Sequence, residues 1–122
     1  MRRVVVTGLG AVTPIGNDVP TFWNHLITGT CGIAPITRFD TSDQKAALAA
    51  EVKDLDMTPY MEKSELRKSD RFAQYAMASA CQAVADSGIL GTVAPDRLSV
   101  YFGSGIGGIE TFSNEVEKLL TK

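Results

Sequence analysis

The sequence is poor in the residues that most often carry chemistry. Among 122 residues there is one histidine and there are two cysteines, and neither Cys31 nor Cys81 belongs to a CxxC pair or stands beside a histidine cluster. Zinc sites and redox pairs need those spacings, so the two cysteines read as free thiols of a reducing compartment. Charge of one sign is also missing: 12 basic against 14 acidic residues give a net charge of -2, and no global field draws in nucleic acid or an anionic membrane. Recognition by charge must then be local. Long apolar runs are absent too. After Met1-Arg2-Arg3 come only three valines before Thr7 and Gly8, far short of a signal peptide or membrane span, and the expected location is the cytoplasm. No repeat, low-complexity tract or linker divides the chain, which gives one unit, 1–122, with no internal boundary.

What is present is ordinary globular material, 44% hydrophobic and 21% charged. Arg3 to Thr7 is a β-branched run without polar alternation, the pattern of a strand covered on both faces in a mostly parallel sheet. Asn17 or Asp18 can cap a helix with Pro20 in its first turn, an apolar stripe of Phe22, Trp23, Leu26 and Ile27, and a stop at Gly29. From Thr30 to Glu62 the signals weaken. Gly32, Pro35 and Pro59 punctuate an irregular excursion, open to an edge hairpin, and Ala46 to Val52 reads equally as strand or short helix. A second helix runs from Ser69 or Asp70 to Ser87 and closes at Gly88. Its expected buried face is Ala73, Ala76, Met77, Ala80, Cys81, Val84 and Ala85, and so much alanine implies close packing on another backbone. Leu98 to Phe102 is a second buried strand, followed by a glycine turn and a helix from Glu110 to Leu120.

Two strands cannot complete a covered parallel sheet, so their edge groups call for further strands in a longer parent chain or a partner. The class is α/β.

Two glycine clusters invite a dinucleotide reading. Gly8-Leu9-Gly10-Ala11-Val12-Thr13 fails, because Thr13 replaces the third glycine and Pro14 and Gly16 stand where a helix should start. Gly103-Ser104-Gly105-Ile106-Gly107-Gly108 satisfies G-x-G-x-x-G after a strand and before a helix, but the acidic residue expected about 20 positions on would fall beyond Lys122. A nucleotide-binding α/β module thus remains an alternative, and a glycine turn made for tight packing is the simpler reading.

Several segments in register are more specific than either cluster. The opening Arg2 to Asn17, Phe22-Trp23, Cys31-Gly32-Ile33, Arg38-Phe39-Asp40, Arg67-Lys68-Ser69-Asp70, Asp86-Ser87-Gly88 and Phe102 to Gly108 together resemble the N-terminal portion of β-ketoacyl-acyl carrier protein synthases, over essentially all 122 residues. The resemblance implies a thiolase-like fold of layered helices and sheets, two similar α/β halves of which this chain begins the first, in a homodimer. It implies fatty-acyl elongation by a decarboxylating condensation of an acyl thioester with malonyl-acyl carrier protein, and no redox cofactor, nucleotide or metal. A cysteine thiolate and two histidines perform that chemistry. In the family they follow later in the chain, the cysteine in a Thr-Ala-Cys type motif, so no catalytic residue is assigned here and the 122 residues alone are expected to be inactive.

Cys81, inside an alanine-rich helix, is expected to be a small buried core residue, Cys31 to be structural, and His25 to serve a surface or interface role. The resemblance places Ile106 at the acyl pocket near the dimer interface; isoleucine there is shared with synthase II members, where many synthase I members carry glycine. It also aligns Arg67 and Lys68, with Lys63 nearby, to the basic residues that dock acyl carrier protein. Ser64, where close relatives can carry lysine, departs from that pattern. A non-catalytic partner of the chain-length-factor kind shares the fold and is a further alternative.

Overall fold

The computed structural model describes residues 3–121; Met1, Arg2 and Lys122, and with Arg2 the first residue of the opening segment Arg2 to Asn17, lie outside the described residues. Its elements run α1 (Val19–Ile27), β1 (Ile33–Pro35), β2 (Leu48–Ala50), α2 (Lys63–Leu66), α3 (Arg71–Ser87) and α4 (Ile109–Leu120), with a 3₁₀ turn at Pro95–Arg97 before the last helix.

The helix signals are realised almost residue by residue. Asp18 caps α1: its Oδ1 accepts from the Thr21 amide at 2.7 Å and its Oδ2 from the Thr21 hydroxyl at 2.9 Å. Pro20 sits in the first turn, and Gly29 leaves the helix at φ 73°. Gly88 ends α3 in the left-handed conformation, φ 59°. The excursion holds the edge hairpin. β1 and β2 pair antiparallel with Ala34 opposite Ala49, which resolves the ambiguity over 46–52 in favour of a strand. Thr37 closes the hairpin by donating its hydroxyl to Glu51 Oε2 at 2.7 Å.

Two expectations about burial need correction. Residues 3–7 and 98–102 form no strand, because the described residues supply no neighbour to pair with them, and Val4 and Tyr101 are 95% and 98% exposed. The face of α3 is also rotated from the expected one. Only Ala78 on that helix is fully buried, Met77 and Ala85 are exposed, and Cys81 is half-buried. The alanines do meet another backbone, that of the 8–17 loop, but through Ser79, Ala83 and Ser87. A Cβ on Gly10 would overlap the Ser79 carbonyl oxygen, and one on Gly8 would stand 2.6 Å from the Ser87 nitrogen. Both serines serve as small packing residues by donating their hydroxyls back along the helix, Ser79 to the Tyr75 carbonyl at 2.7 Å and Ser87 to Val84 at 2.9 Å.

Two side chains one turn apart on α3 staple that loop down. Asp86 Oδ2 accepts from the Leu9 amide at 2.9 Å. Gln82 accepts from the Ala11 amide at 3.0 Å and donates to the Asn17 carbonyl at 2.7 Å. In place of a neighbouring strand, a helix satisfies alternate amides of an extended segment. No described helix is long and apolar enough to cross a membrane.

Candidate functional site

The basic segment begins on the single turn of α2. Lys63 opens that turn, Arg67 follows as its C-cap and Lys68 comes next; all three are exposed. Arg67 Nε donates to the Lys63 carbonyl at 3.3 Å, so its guanidinium lies back along the turn. Among the described residues the ion pairs are Arg38–Glu110 and Lys118–Glu115, each 2.7 Å, so Lys63, Arg67 and Lys68 make no ion pair, although Glu62, Glu65 and Asp70 beside them dilute the charge. The segment is fixed to the start of α3 by Gln74, whose Nε2 donates to the Ser69 carbonyl at 2.9 Å and to Leu66 at 3.3 Å.

Ile106 lies in the turn that leads into α4. Gly107 bends the chain at φ 66°, and its amide donates to Ser104 Oγ at 3.0 Å. Ile106 is 73% exposed and stands outside the apolar cavity of about 350 Å³ that Val12, Phe72, Tyr75, Ala76 and Phe102 line beside the same turn. Phe72, in the first turn of α3, approaches Gly107 closely enough that a Cβ there would lie 3.8 Å from its ring.

Asp70 was not identified from sequence as a link. It occupies the N-cap position of α3, yet its carboxylate makes no bond to that helix. Instead it accepts from the Thr111 hydroxyl at the start of α4, and a Cβ on Gly108 would collide with its Oδ2. A carboxylate therefore already stands at the positive end of α4, where a dinucleotide fingerprint would place a pyrophosphate. Its charge would repel a second anion there, which weighs against the nucleotide reading.

Cys31 is exposed and its thiol, like that of Cys81, is free. His25 is half-buried and its Nδ1 bonds the Ile15 carbonyl, tying α1 to the preceding turn, a structural task that a lone histidine in a sequence does not announce. The carboxylates whose pKa values fall below the ordinary range sit in local turns at Asp40 and Asp56 and across the hairpin at Glu51. Asp40 and Asp56 are held down by the amides of Ser42 and Thr58, and Glu51 by the Thr37 hydroxyl. None belongs to the basic segment or to the Ile106 turn.

Comparison with known proteins bears on the whole chain. The family model described as "Beta-ketoacyl synthase, N-terminal domain" matches residues 1–121. The 3-oxoacyl-[acyl-carrier-protein] synthase 2 of Synechocystis sp. (strain ATCC 27184 / PCC 6803 / Kazusa) is 43% identical over 122 residues, covering 99% of this chain and 29% of the relative. Its counterpart in Coxiella burnetii is 48% identical, with 98% and 29% covered. Among solved structures, the ishigamide ketosynthase/chain length factor superposes with a TM-score of 0.80 at 33% identity over 98% of this chain and 30% of that one. A type II polyketide synthase acyl-carrier protein in complex with its ketosynthase, bound to the hexaketide, gives 0.75 at 26% identity over 97% and 32%. The chain spans about three tenths of the length of these relatives.

Proposed function

The chain belongs to the β-ketoacyl synthase family, whose N-terminal domain it represents, and from that membership we propose that its full-length protein is a 3-oxoacyl-acyl carrier protein synthase of the synthase 2 kind. The observation that carries the reading is agreement along the whole chain: 43% and 48% identity to two synthases of that name. In this reading the protein condenses an acyl thioester with malonyl-acyl carrier protein, releases carbon dioxide and lengthens the chain by two carbons. It acts as a cytoplasmic homodimer. The 122 residues contribute carrier docking and part of the acyl pocket, and the cysteine and histidines of the reaction come from elsewhere in the protein.

Lys63, Arg67 and Lys68 are the docking residues proposed, since they are exposed, close in sequence and free of ion pairs among the described residues. Their charge speeds and orients the approach of an acidic carrier. A ketosynthase of the same fold is known in complex with an acyl-carrier protein, which supports this partner. Ile106 is the acyl-pocket residue proposed, its exposed side chain becoming apolar lining once covered.

The test is direct. Full-length protein given acyl- and malonyl-carrier thioesters should release carbon dioxide and form the 3-oxoacyl product. Replacing Arg67 and Lys68 with glutamate should weaken carrier binding, more strongly at low salt than at high; unchanged affinity at low ionic strength would remove the docking assignment. A second reading, a non-catalytic chain-length-factor-like subunit, draws on the likeness to a ketosynthase/chain length factor. It is the reading that survives if the purified protein binds carrier but releases no carbon dioxide.

A further inference from the structure

The carboxylate of Asp70 joins two places that the proposed function uses separately. It lies two residues after the basic segment at 63–68, which Gln74 locks to the first turn of α3 through the carbonyls of Leu66 and Ser69. It then reaches across to the Thr111 hydroxyl in the first turn of α4, three residues beyond the turn at 103–108 that carries Ile106. Gly108 has no side chain, and only that lets the carboxylate come so close. Phe72 also lines one cavity together with Phe102, Gly103 and Ser104, at the same junction. An aspartate at an N-cap position ordinarily bonds its own helix; this one forgoes that bond for a partner 41 residues away.

We infer that Asp70 is a positioning residue: through Thr111 and Gly108 it fixes the Ile106 turn relative to the segment on which the carrier docks. The inference rests on the carrier-docking reading above. A docked carrier delivers its acyl chain from a fixed point, and the pocket must stand at a fixed offset from that point for the chain to enter in reacting geometry. A thioester without a carrier has no such fixed point and gains nothing from the offset.

The test uses the full-length protein and compares kcat/KM for the same acyl group on the carrier and on a carrier-free pantetheine thioester. Thr111→Val keeps the shape but removes the donor. It should lower the ratio of carrier-borne to carrier-free efficiency by about three- to tenfold, the scale of one ordinary solvent-exposed hydrogen bond. Carrier affinity should stay as in the unaltered protein, and Thr111→Ser should restore the ratio. Asp70→Asn keeps an acceptor oxygen and should fall between the two, which gives a reading even if the valine variant folds poorly. An equal fall with both substrates, or a ratio unchanged in both Thr111→Val and Asp70→Asn, would reduce Asp70 to a stabilising contact and overturn the inference. Failure of the underlying reading looks different: the unaltered protein would show no preference for the carrier-borne substrate, or would bind carrier equally well with Arg67 and Lys68 reversed.

Discussion

Gln82→Leu isolates the contact that holds the 8–17 loop to α3. Leucine keeps much of the volume of glutamine and removes both of its polar groups. The Ala11 amide, bonded at 3.0 Å, and the Asn17 carbonyl, bonded at 2.7 Å, then lose their partners at a half-buried site, as does a longer contact of 3.3 Å to the Tyr60 hydroxyl. At about 0.5–1.5 kcal/mol for each of the two shorter bonds, the loss is about 1–3 kcal/mol. If the loop opens locally, that corresponds to exchange of the Ala11 amide about five- to 150-fold faster. Hydrogen exchange on peptides covering residues 8–17 of the full-length protein reads this directly. Gln82→Glu separates the two halves of the contact: it keeps an acceptor for Ala11 but sets a carboxylate against the Asn17 carbonyl, so protection at Ala11 should survive while stability falls. Unchanged exchange at Ala11 in Gln82→Leu would mean that the glycine packing alone holds the loop and that the staple is incidental.

Gly10→Ala should cost about 1–3 kcal/mol or more, because the added methyl meets the Ser79 carbonyl on a helix backbone that cannot yield; a thermal midpoint equal to that of the unaltered protein would contradict the fit. Asp18→Ala should cost about 1 kcal/mol through loss of the α1 cap, and Asp18→Asn much less, as measured in urea unfolding. Glu51 titrates below its ordinary 4.5 because the Thr37 hydroxyl bonds its ionised form, so its contribution to the hairpin is present above about pH 4.5 and disappears as pH falls through the lowered value. The stability difference between the unaltered protein and Glu51→Gln should therefore be largest near neutrality and close on acidification; a constant difference from pH 7 to 3 would show that the carboxylate plays no such part.

The sequence announced its helices well because their signals are local. Asp18, Pro20 and Gly29 bracket α1, and Gly88 ends α3, by chemistry that acts within a few residues. The packed face of α3 was misread because apolar counting passes over Ser79 and Ser87, which pack like alanine once their hydroxyls turn back to the helix. A partial signal existed in the alternation of Gly8 and Gly10 and in Gln82 and Asp86 four residues apart, the spacing that lets one helix face grip one extended segment. Asp70 and Thr111 offered no such cue, since only the fold brings residues 41 apart together. Ile106 and the basic trio came from family resemblance alone, and their geometry, a side chain in an open turn and three unpaired charges on one exposed segment, is neutral with respect to what they bind.

Residues 3–7 and 98–102, expected as strands, form none and stay unpaired. A compact protein of 13.1 kDa should expose about 6,400 Å², whereas this chain exposes 9994 Å². The excess, about 3,600 Å², is several times the roughly 800 Å² that one partner buries in a standard interface. Its location is informative. Val4 to Val6 and Val100 to Phe102 are exposed, and so is the stripe of Ile109, Phe112, Leu119 and Leu120 along α4. Among the described residues no backbone hydrogen bond joins 3–7 or 99–103 to anything, although Leu9 and Ala11 immediately downstream are satisfied by α3. A segment whose far end is anchored by side chains, and whose near end is apolar, β-branched and unbonded, has the makings of a strand that still needs a sheet. Relatives more than three times as long, of which this chain matches 29%, have ample chain to supply one.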